Sequence, residues 1–189
     1  MVVSSMGPKA PVDRAADPVV YKVDVAHSSV EFVIRHFVSR VRGSFKDWNA
    51  TITADPTNWS SGSVDVTLNT ASITTNNDRR DADLRSPNFF DAEKNPTISF
   101  KSNKVERSGD ELKISGDLTM KGVTKAVVLT GKYLGATKTQ SGKARVGFEA
   151  SVTVNRLDWG VTWNRAVEGG GMMLGDEVKI EIVIEAVQQ

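Results

Sequence analysis

The sequence predicts an all-β protein, an antiparallel sheet of eight or nine strands folded into one domain. Three observations carry this reading. From Tyr21 onward, apolar and polar residues alternate with period two over most of the chain, which sends successive side chains to opposite faces of a strand. The alternating positions are rich in Val, Ile, Thr and Phe, residue types that suit a pleated, half-buried surface. Short turns join many of the segments, and turns this short produce antiparallel hairpins and meanders.

The segments follow in order. After a first strand near 20–25, residues 29–37 set Val30, Phe32 and Ile34 on one face and Glu31 and Arg35 on the other. Over 41–54 the apolar parity switches between Phe45 and Trp48, predicting a bulge that bends the strand as a curved sheet requires. In 63–73, Val64, Val66 and Leu68 alternate with Asp65, Thr67 and Asn69. A strand over 96–105 precedes one over 111–120, where Leu112, Ile114, Gly116, Leu118 and Met120 share a face. Strands at 125–136 and 144–155 follow, the latter with Val146, Phe148, Ala150, Val152 and Val154 in phase. The last, 177–187, aligns Val178, Ile180, Ile182, Ile184 and Ala186. Ser108-Gly109-Asp110, Gly122-Val123-Thr124 and Ser141-Gly142-Lys143 supply the turns. One-sided strands bury their apolar faces in a closed barrel, which has no edges, or in a two-sheet sandwich. Periodicity permits both.

Two long connections interrupt the strands, 74–95 and 156–176. Long loops inside a compact domain are usually lids or binding loops. The first, TTNNDRRDADLRSPNFFDAEK, crowds Arg79, Arg80 and Arg85 among Asp78, Asp81 and Asp83 before Phe89-Phe90. A calcium loop of the EF-hand type needs a central Gly and a closing Glu, and here arginines would repel the cation. The expected arrangement is a cap over one end of the sheet, carried by Arg80, Asp81, Leu84, Phe89 and Phe90. Its arginines should pair with the aspartates or with nearby backbone.

The 189 residues suit one domain, with a core large enough to need no staples. Residues 1–18, with Pro8, Pro11 and Pro18 and little apolar content, read as a flexible arm; residues 19–189 form the domain. The absence of cysteine excludes disulfides, thiolate metal sites and a cysteine nucleophile. Twenty-four basic against twenty-three acidic residues leave a net charge of +1, without the clustered basic excess of a nucleic-acid binder. No window reaches the roughly eighteen apolar residues of a membrane span. Nor do residues 1–18 contain a signal-peptide core. A cytoplasmic location is therefore expected of the sequence as written, and a periplasmic one if a leader has been removed.

Catalytic motifs are missing. There is no G-x-S-x-G, P-loop or dinucleotide fingerprint. Gly169-Gly170-Gly171 reads as a flexible loop. His27 and His36 are the only histidines, and neither has a second ligand at metal spacing, so no metal is assigned. His36 continues the inward parity of Phe32 and Ile34. It is read as a hydrogen-bonded core histidine or a contact for a ligand's polar head in preference to a general base. Trp159 and Trp163 belong to a cavity mouth or to the core.

Several motifs converge on one family. YKVDVAHSSVEFVIRHFVSRVRGSFKDW, through Asp24, His27-Ser28, Phe32, His36, Val41, Gly43 and Phe45, resembles the opening of the YceI-like, or polyisoprenoid-binding, proteins. The stretch from Thr75 through Arg80-Asp81, Leu84, Phe89-Phe90-Asp91 and Pro96 to Phe100 is similar to the family's next signature. GDLTMKGVTK (116–125), RLDWGVTWN (156–164) and GDEVKIEIVIEA (175–186) resemble its later motifs. Two departures, Asn95 where the family often has Tyr and Trp159 where it often has Phe, bear on the ligand more than on the fold.

The resemblance implies a single lipocalin-like antiparallel β-barrel of about eight strands with short helical or loop segments capping one end. It implies non-enzymatic binding, storage or transport of a long isoprenoid amphiphile, such as a quinone or prenyl lipid, and no other cofactor. The expected lining and mouth are Phe32, Ile34, His36, Phe100, Leu118, Met120, Phe148, Val152, Trp159 and Trp163. The ligand is the expected partner; nucleic acid is not, and a homodimer is an allowed assembly. Two rivals stand beside this reading: an enzyme acting on the lipid head through His36, and an interaction module whose barrel is filled by its own side chains. Gly116, Thr130, Gly131 and Ala150 fit a barrel with room inside.

Overall fold

The computed structural model describes residues 17–189, so the expected N-terminal arm lies, except for its last two residues, outside the described residues. Eleven strands and one α-helix follow in order: β1 (Val19–Val23), β2 (Ser29–His36), β3 (Ser39–Phe45), β4 (Trp48–Asp55), β5 (Asn58–Asn69), β6 (Ile73–Thr74), α1 (Asp78–Arg85), β7 (Thr97–Ser108), β8 (Glu111–Met120), β9 (Val123–Lys138), β10 (Ala144–Asn155) and β11 (Leu174–Gln188).

The architecture is an eight-stranded antiparallel barrel. Hydrogen bonds run β1-β4-β5-β7-β8-β9-β10-β11, and β11 returns to β1 through the pairs Tyr21↔Gln188 and Val23↔Ala186. This last pairing excludes the sandwich. A side branch, β11-β2-β3-β6, extends the wall at one end. It arises because three strand paths break and change partner. A 3₁₀ turn at Val25–His27 separates β1 from β2, Lys46-Asp47 separates β3 from β4, and a 3₁₀ turn at Thr70–Ser72 separates β5 from β6. The parity switch between Phe45 and Trp48 marks the second break. It is an interruption of the strand where a bulge was expected, because the chain leaves β2 and takes up β1 there. Asp47 fixes the kink: its carbonyl accepts the Asn69 N–H at 2.9 Å, and its carboxylate accepts from the Asn69 amide at 2.9 Å.

Turn chemistry matches the hairpins at 108–110 and 141–143, while the turn expected at Gly122-Val123-Thr124 falls earlier, since Val123 and Thr124 already pair in β9. Lys121 and Gly122 join β8 to β9 with φ of 49° and 75°, the two left-handed residues that a tight hairpin needs. β5 begins at Asn58, earlier than the alternation suggested, and its first turn buries Trp59. One apolar cluster lines the barrel, including Trp48, Ile52, Leu68, Phe100 and Leu118. A second, smaller cluster of Phe89, Val161 and Leu174, with Ile34, Leu84, Phe90 and Trp163 against it, sits at the extended end. No helix among the described residues is long and apolar enough to cross a membrane.

Candidate functional site

The one-sided strands enclose a cavity of about 890 Å³. β2 presents Phe32, Ile34 and His36 to it, β7 Phe100, β8 Leu118 and Met120, and β10 Phe148 and Val152; Trp163 reaches it from the loop before β11. Trp159 is not part of the wall. It is buried in the barrel core, and its indole N–H donates to the Leu118 carbonyl at 3.1 Å, pinning the 156–173 loop to β8. The remaining wall is mostly aliphatic, for example Ala50, Ile52, Val66, Leu129 and Ile180.

The glycines do not create this space. A Cβ on Gly116 would meet the Phe100 ring and the Lys101 carbonyl, and one on Gly131 would meet the backbone of Glu149 and Ala150. Thr130 is exposed and lines a shallow outer groove. Of the four small residues, Ala150 alone stands on the cavity wall.

The end away from the cap is closed by aromatic rings. Trp59 lies 5.5 Å from Tyr21, 5.7 Å from Tyr133 and 5.3 Å from Phe148, centroid to centroid. The Arg107 guanidinium covers Tyr133 at 4.4 Å, a cation–π contact. Trp59 escaped the sequence reading because its neighbours, Asn58, Ser60 and Ser61, are polar and resemble a turn.

The other end carries the cap, and local chemistry builds it. Asn77 caps α1, its side chain accepting the Arg80 N–H at 3.0 Å. Asp81 is 3% exposed. Its carboxylate accepts the Thr74 hydroxyl at 2.8 Å, the Thr75 N–H at 2.7 Å and the Thr75 hydroxyl at 2.6 Å. Burial pushes its pKa up, but the hydrogen bonds from Thr75 and Thr74, with Arg85 nearby, hold it below the ordinary aspartate value overall. Of the two expected pairings for the arginines of this segment, with the aspartates or with nearby backbone, the one to backbone is what forms for Arg80 and Arg85. Arg80 donates to the Thr75 hydroxyl (2.7 Å) and carbonyl (3.2 Å), and Arg85 to the carbonyls of Ala71 (2.7 Å) and Ile73 (3.1 Å). A guanidinium's several donors suit the carbonyls left unpaired where β6 leaves the sheet. Leu84, Phe89 and Phe90 face the cavity, and the Phe89 ring lies 5.3 Å from that of Trp163.

The second long connection is tied down by Arg156, which is 4% exposed. Its guanidinium donates to the carbonyls of Gly175 (2.9 Å), Val161 (2.6 Å) and Trp163 (3.0 Å), and to Asp176 (3.3 Å). Desolvation lowers its pKa and Asp176 raises it. Lys121 joins the two caps through the carbonyls of Gly160 (3.1 Å) and Pro87 (3.4 Å). Sequence reasoning assigned Arg156 no role, since an isolated arginine normally reads as a surface residue.

A model of the YceI-like domain matches residues 21–186. The chain belongs to the YceI-like family. It is 40% identical over 172 residues to Protein YceI of Salmonella arizonae, covering 89% of this chain and 87% of that protein. Among solved structures, the Campylobacter jejuni YCEI protein aligns with TM-score 0.72 at 33% identity, over 80% of this chain and 87% of that one. The fold is shared with Burkholderia cenocepacia BcnA (TM-score 0.76, 22% identity, 86% and 98% of the chains). It is shared too with a polyisoprenoid-binding domain from Saccharophagus degradans (TM-score 0.65, 13% identity, 90% and 99%).

In this YceI-like barrel most of the polar cavity wall gathers at the cap end, where His36, Asn77, Arg79, Arg80, Asp83 and Ser86 stand beside apolar residues, while Glu31, Ser63 and Glu149 line it from β2, β5 and β10. His36 is half-buried, and among the described residues no group hydrogen-bonds its ring, so the expected satisfied core histidine is not what they make. Arg79 is exposed and likewise without a partner among the described residues. His27 lies elsewhere, bonded to Asp24 at 2.9 Å. Asp24, His27 and Glu185 converge closely enough to hold a cation. Arg145, 2.5 Å from Glu185 and 3.4 Å from Asp24, already supplies the positive charge there.

Proposed function

We propose that the protein holds a long isoprenoid-type amphiphile in the barrel, tail inward and polar head at the cap, and acts as a carrier or store without catalysing a reaction. The observation that carries this is the aliphatic and aromatic cavity of about 890 Å³, most of whose polar groups gather at the cap end. That volume lies in the range of small-molecule sites. Each buried CH₂-sized unit of the tail contributes about 0.8 kcal/mol, so ten units contribute about 8 kcal/mol before the cost of association, and a longer tail offsets that cost. The unpartnered His36 ring and Arg79 guanidinium suit the head group, by hydrogen bonding or by charge if the head is a phosphate. The name of the Saccharophagus degradans domain, which records polyisoprenoid binding, supports the same ligand class.

Catalysis draws less support. A general base needs a partner to orient it and a substrate proton within reach, and nothing among the described residues orients the His36 ring.

Organic extraction of gently purified protein followed by mass spectrometry tests the reading. The expected result is a stoichiometric isoprenoid lipid, or uptake of added ubiquinone-type or prenyl lipid with quenching of Trp163 fluorescence. Empty protein that takes up neither would reject it.

A further inference from the structure

We propose that the β2–β3 hairpin tip is a docking device for an anionic lipid bilayer, placing the cavity mouth against the membrane; this rests on the carrier reading above. The tip consists of Phe37 and Val38, 49% and 87% exposed, and beside it lies Met172, 49% exposed. The two tips are joined, since the Phe37 N–H donates to the Met173 carbonyl at 2.6 Å. Lone exposed apolar residues are ordinary on protein surfaces, but these three project together from two adjoining turns.

Three further observations point to a bilayer. First, Phe37 has φ of 53°. A bulky residue in the left-handed region is an outlier, and Asn or Gly would form this turn at lower cost. Folding alone does not explain an exposed phenylalanine there. Second, the tip is ringed by positive charge. Arg35 and Arg40 face each other across the hairpin, and Arg165 stands in the neighbouring turn, its carbonyl accepting the Met173 N–H at 2.8 Å. The acid on these two tips is Glu168, at the far turn of the second. Among the described residues Arg40 has no partner, and Arg35 reaches only the Phe37 carbonyl, at 3.0 Å. Apolar side chains at the apex with arginines one step behind match the depth profile of an interface, where the stems lie in the apolar layer and the cations meet the head groups. Third, the tip is continuous with the cavity. His36 and Leu174, paired across β2 and β11, line it immediately behind Phe37 and Met173. A tail leaving the bilayer beside Phe37 would enter the barrel with little exposure to water.

The test is co-sedimentation of the delipidated full chain with vesicles of phosphatidylglycerol in phosphatidylcholine, alongside pure phosphatidylcholine vesicles. Binding is expected to the anionic vesicles and to fall with salt. Phe37→Asn with Val38→Ser should weaken it at least about tenfold. Arg40→Gln with Arg165→Gln should weaken it about fivefold for each charge removed. Because Asn accepts the left-handed turn, the tip variant should melt no lower than wild type. It should take up isoprenoid from ethanol normally but slowly from vesicles. Absence of binding to anionic vesicles, or equal binding by wild type and the tip variant, overturns the proposal; a protein partner for the tip would give that second pattern or the first. Wild type that fails to take up isoprenoid from ethanol counts against the carrier reading and leaves the vesicle result to stand by itself.

Discussion

The ring of Phe32 fills the space that a side chain on Gly43, its partner across β2 and β3, would occupy. The glycine is therefore a recess in the wall that receives an aromatic ring, and Phe100 stands over Gly116 in the same way. Gly43→Ala should push the Phe32 ring toward the cavity and cost about 1–3 kcal/mol, the usual penalty for overpacking. Urea denaturation measures it. Combining it with Phe32→Ala should cost less than the sum of the two single changes, because the clash with the ring is then gone and only that with the Thr74 carbonyl remains. Additive costs would show that the ring and the glycine are independent.

Acid should loosen the cap through Asp81. Its pKa is lowered in the fold, so its contribution is complete above the ordinary aspartate value of about 3.9 and is lost as pH falls through the lowered value. Stability between pH 7 and pH 5 should not depend on this group. Asp81→Asn should lose about 2 kcal/mol at pH 7, since it surrenders charge-assisted bonds to Thr74 and Thr75. Its stability should then fall less steeply than that of wild type below about pH 4. Thermal melts across pH check both expectations.

Leu84 and Phe89 hold the cap by apolar contact with the cluster around Val161, Leu174 and Trp163. Replacing both with Ser should remove roughly 3–5 kcal/mol of burial, opening the cap before the barrel unfolds. Hydrogen exchange should accelerate across 78–92 with β7–β10 still protected. Uniform acceleration over all strands would show that the cap and barrel form one cooperative unit.

Arg156→Met should cost about 3–5 kcal/mol because it leaves the carbonyls of Val161, Trp163 and Gly175 without their donor. Arg156→Lys should recover part of this, since an ammonium can reach fewer of those acceptors than the planar guanidinium. The melting temperature reads the order wild type, Lys, Met. A Lys variant equal to wild type would reduce Arg156 to a simple charge partner of Asp176.

The cavity wall was legible because alternation is local. Phe32, Ile34 and His36, or Phe148 and Val152, share a face whatever the strand pairs with, so period two names them as inward residues. The family motifs likewise place Leu84, Phe89 and Phe90 together before any fold is known. What hid Trp159 is that an aromatic next to a loop has two burial options of similar hydrophobic value. Its N–H found the Leu118 carbonyl, and the cavity side was left to Trp163.

By itself, the sequence determined that the chain is antiparallel β, which side of each strand is apolar, and that residues 74–95 cap one end. The first two follow from side-chain direction and turn chemistry within a few residues, and the cap from the length of that connection and the family motifs it carries. Tertiary structure alone decided that the sheet closes, because closure depends on β1 meeting β11 across most of the chain. It decided as well that the glycines are filled by Phe32 and Phe100 while aliphatic side chains leave the room, since volume inside a barrel depends on neighbours brought from distant strands. Arg156 became a buried latch for the same reason. Its acceptors are backbone carbonyls, which every residue offers and only the folded chain brings together.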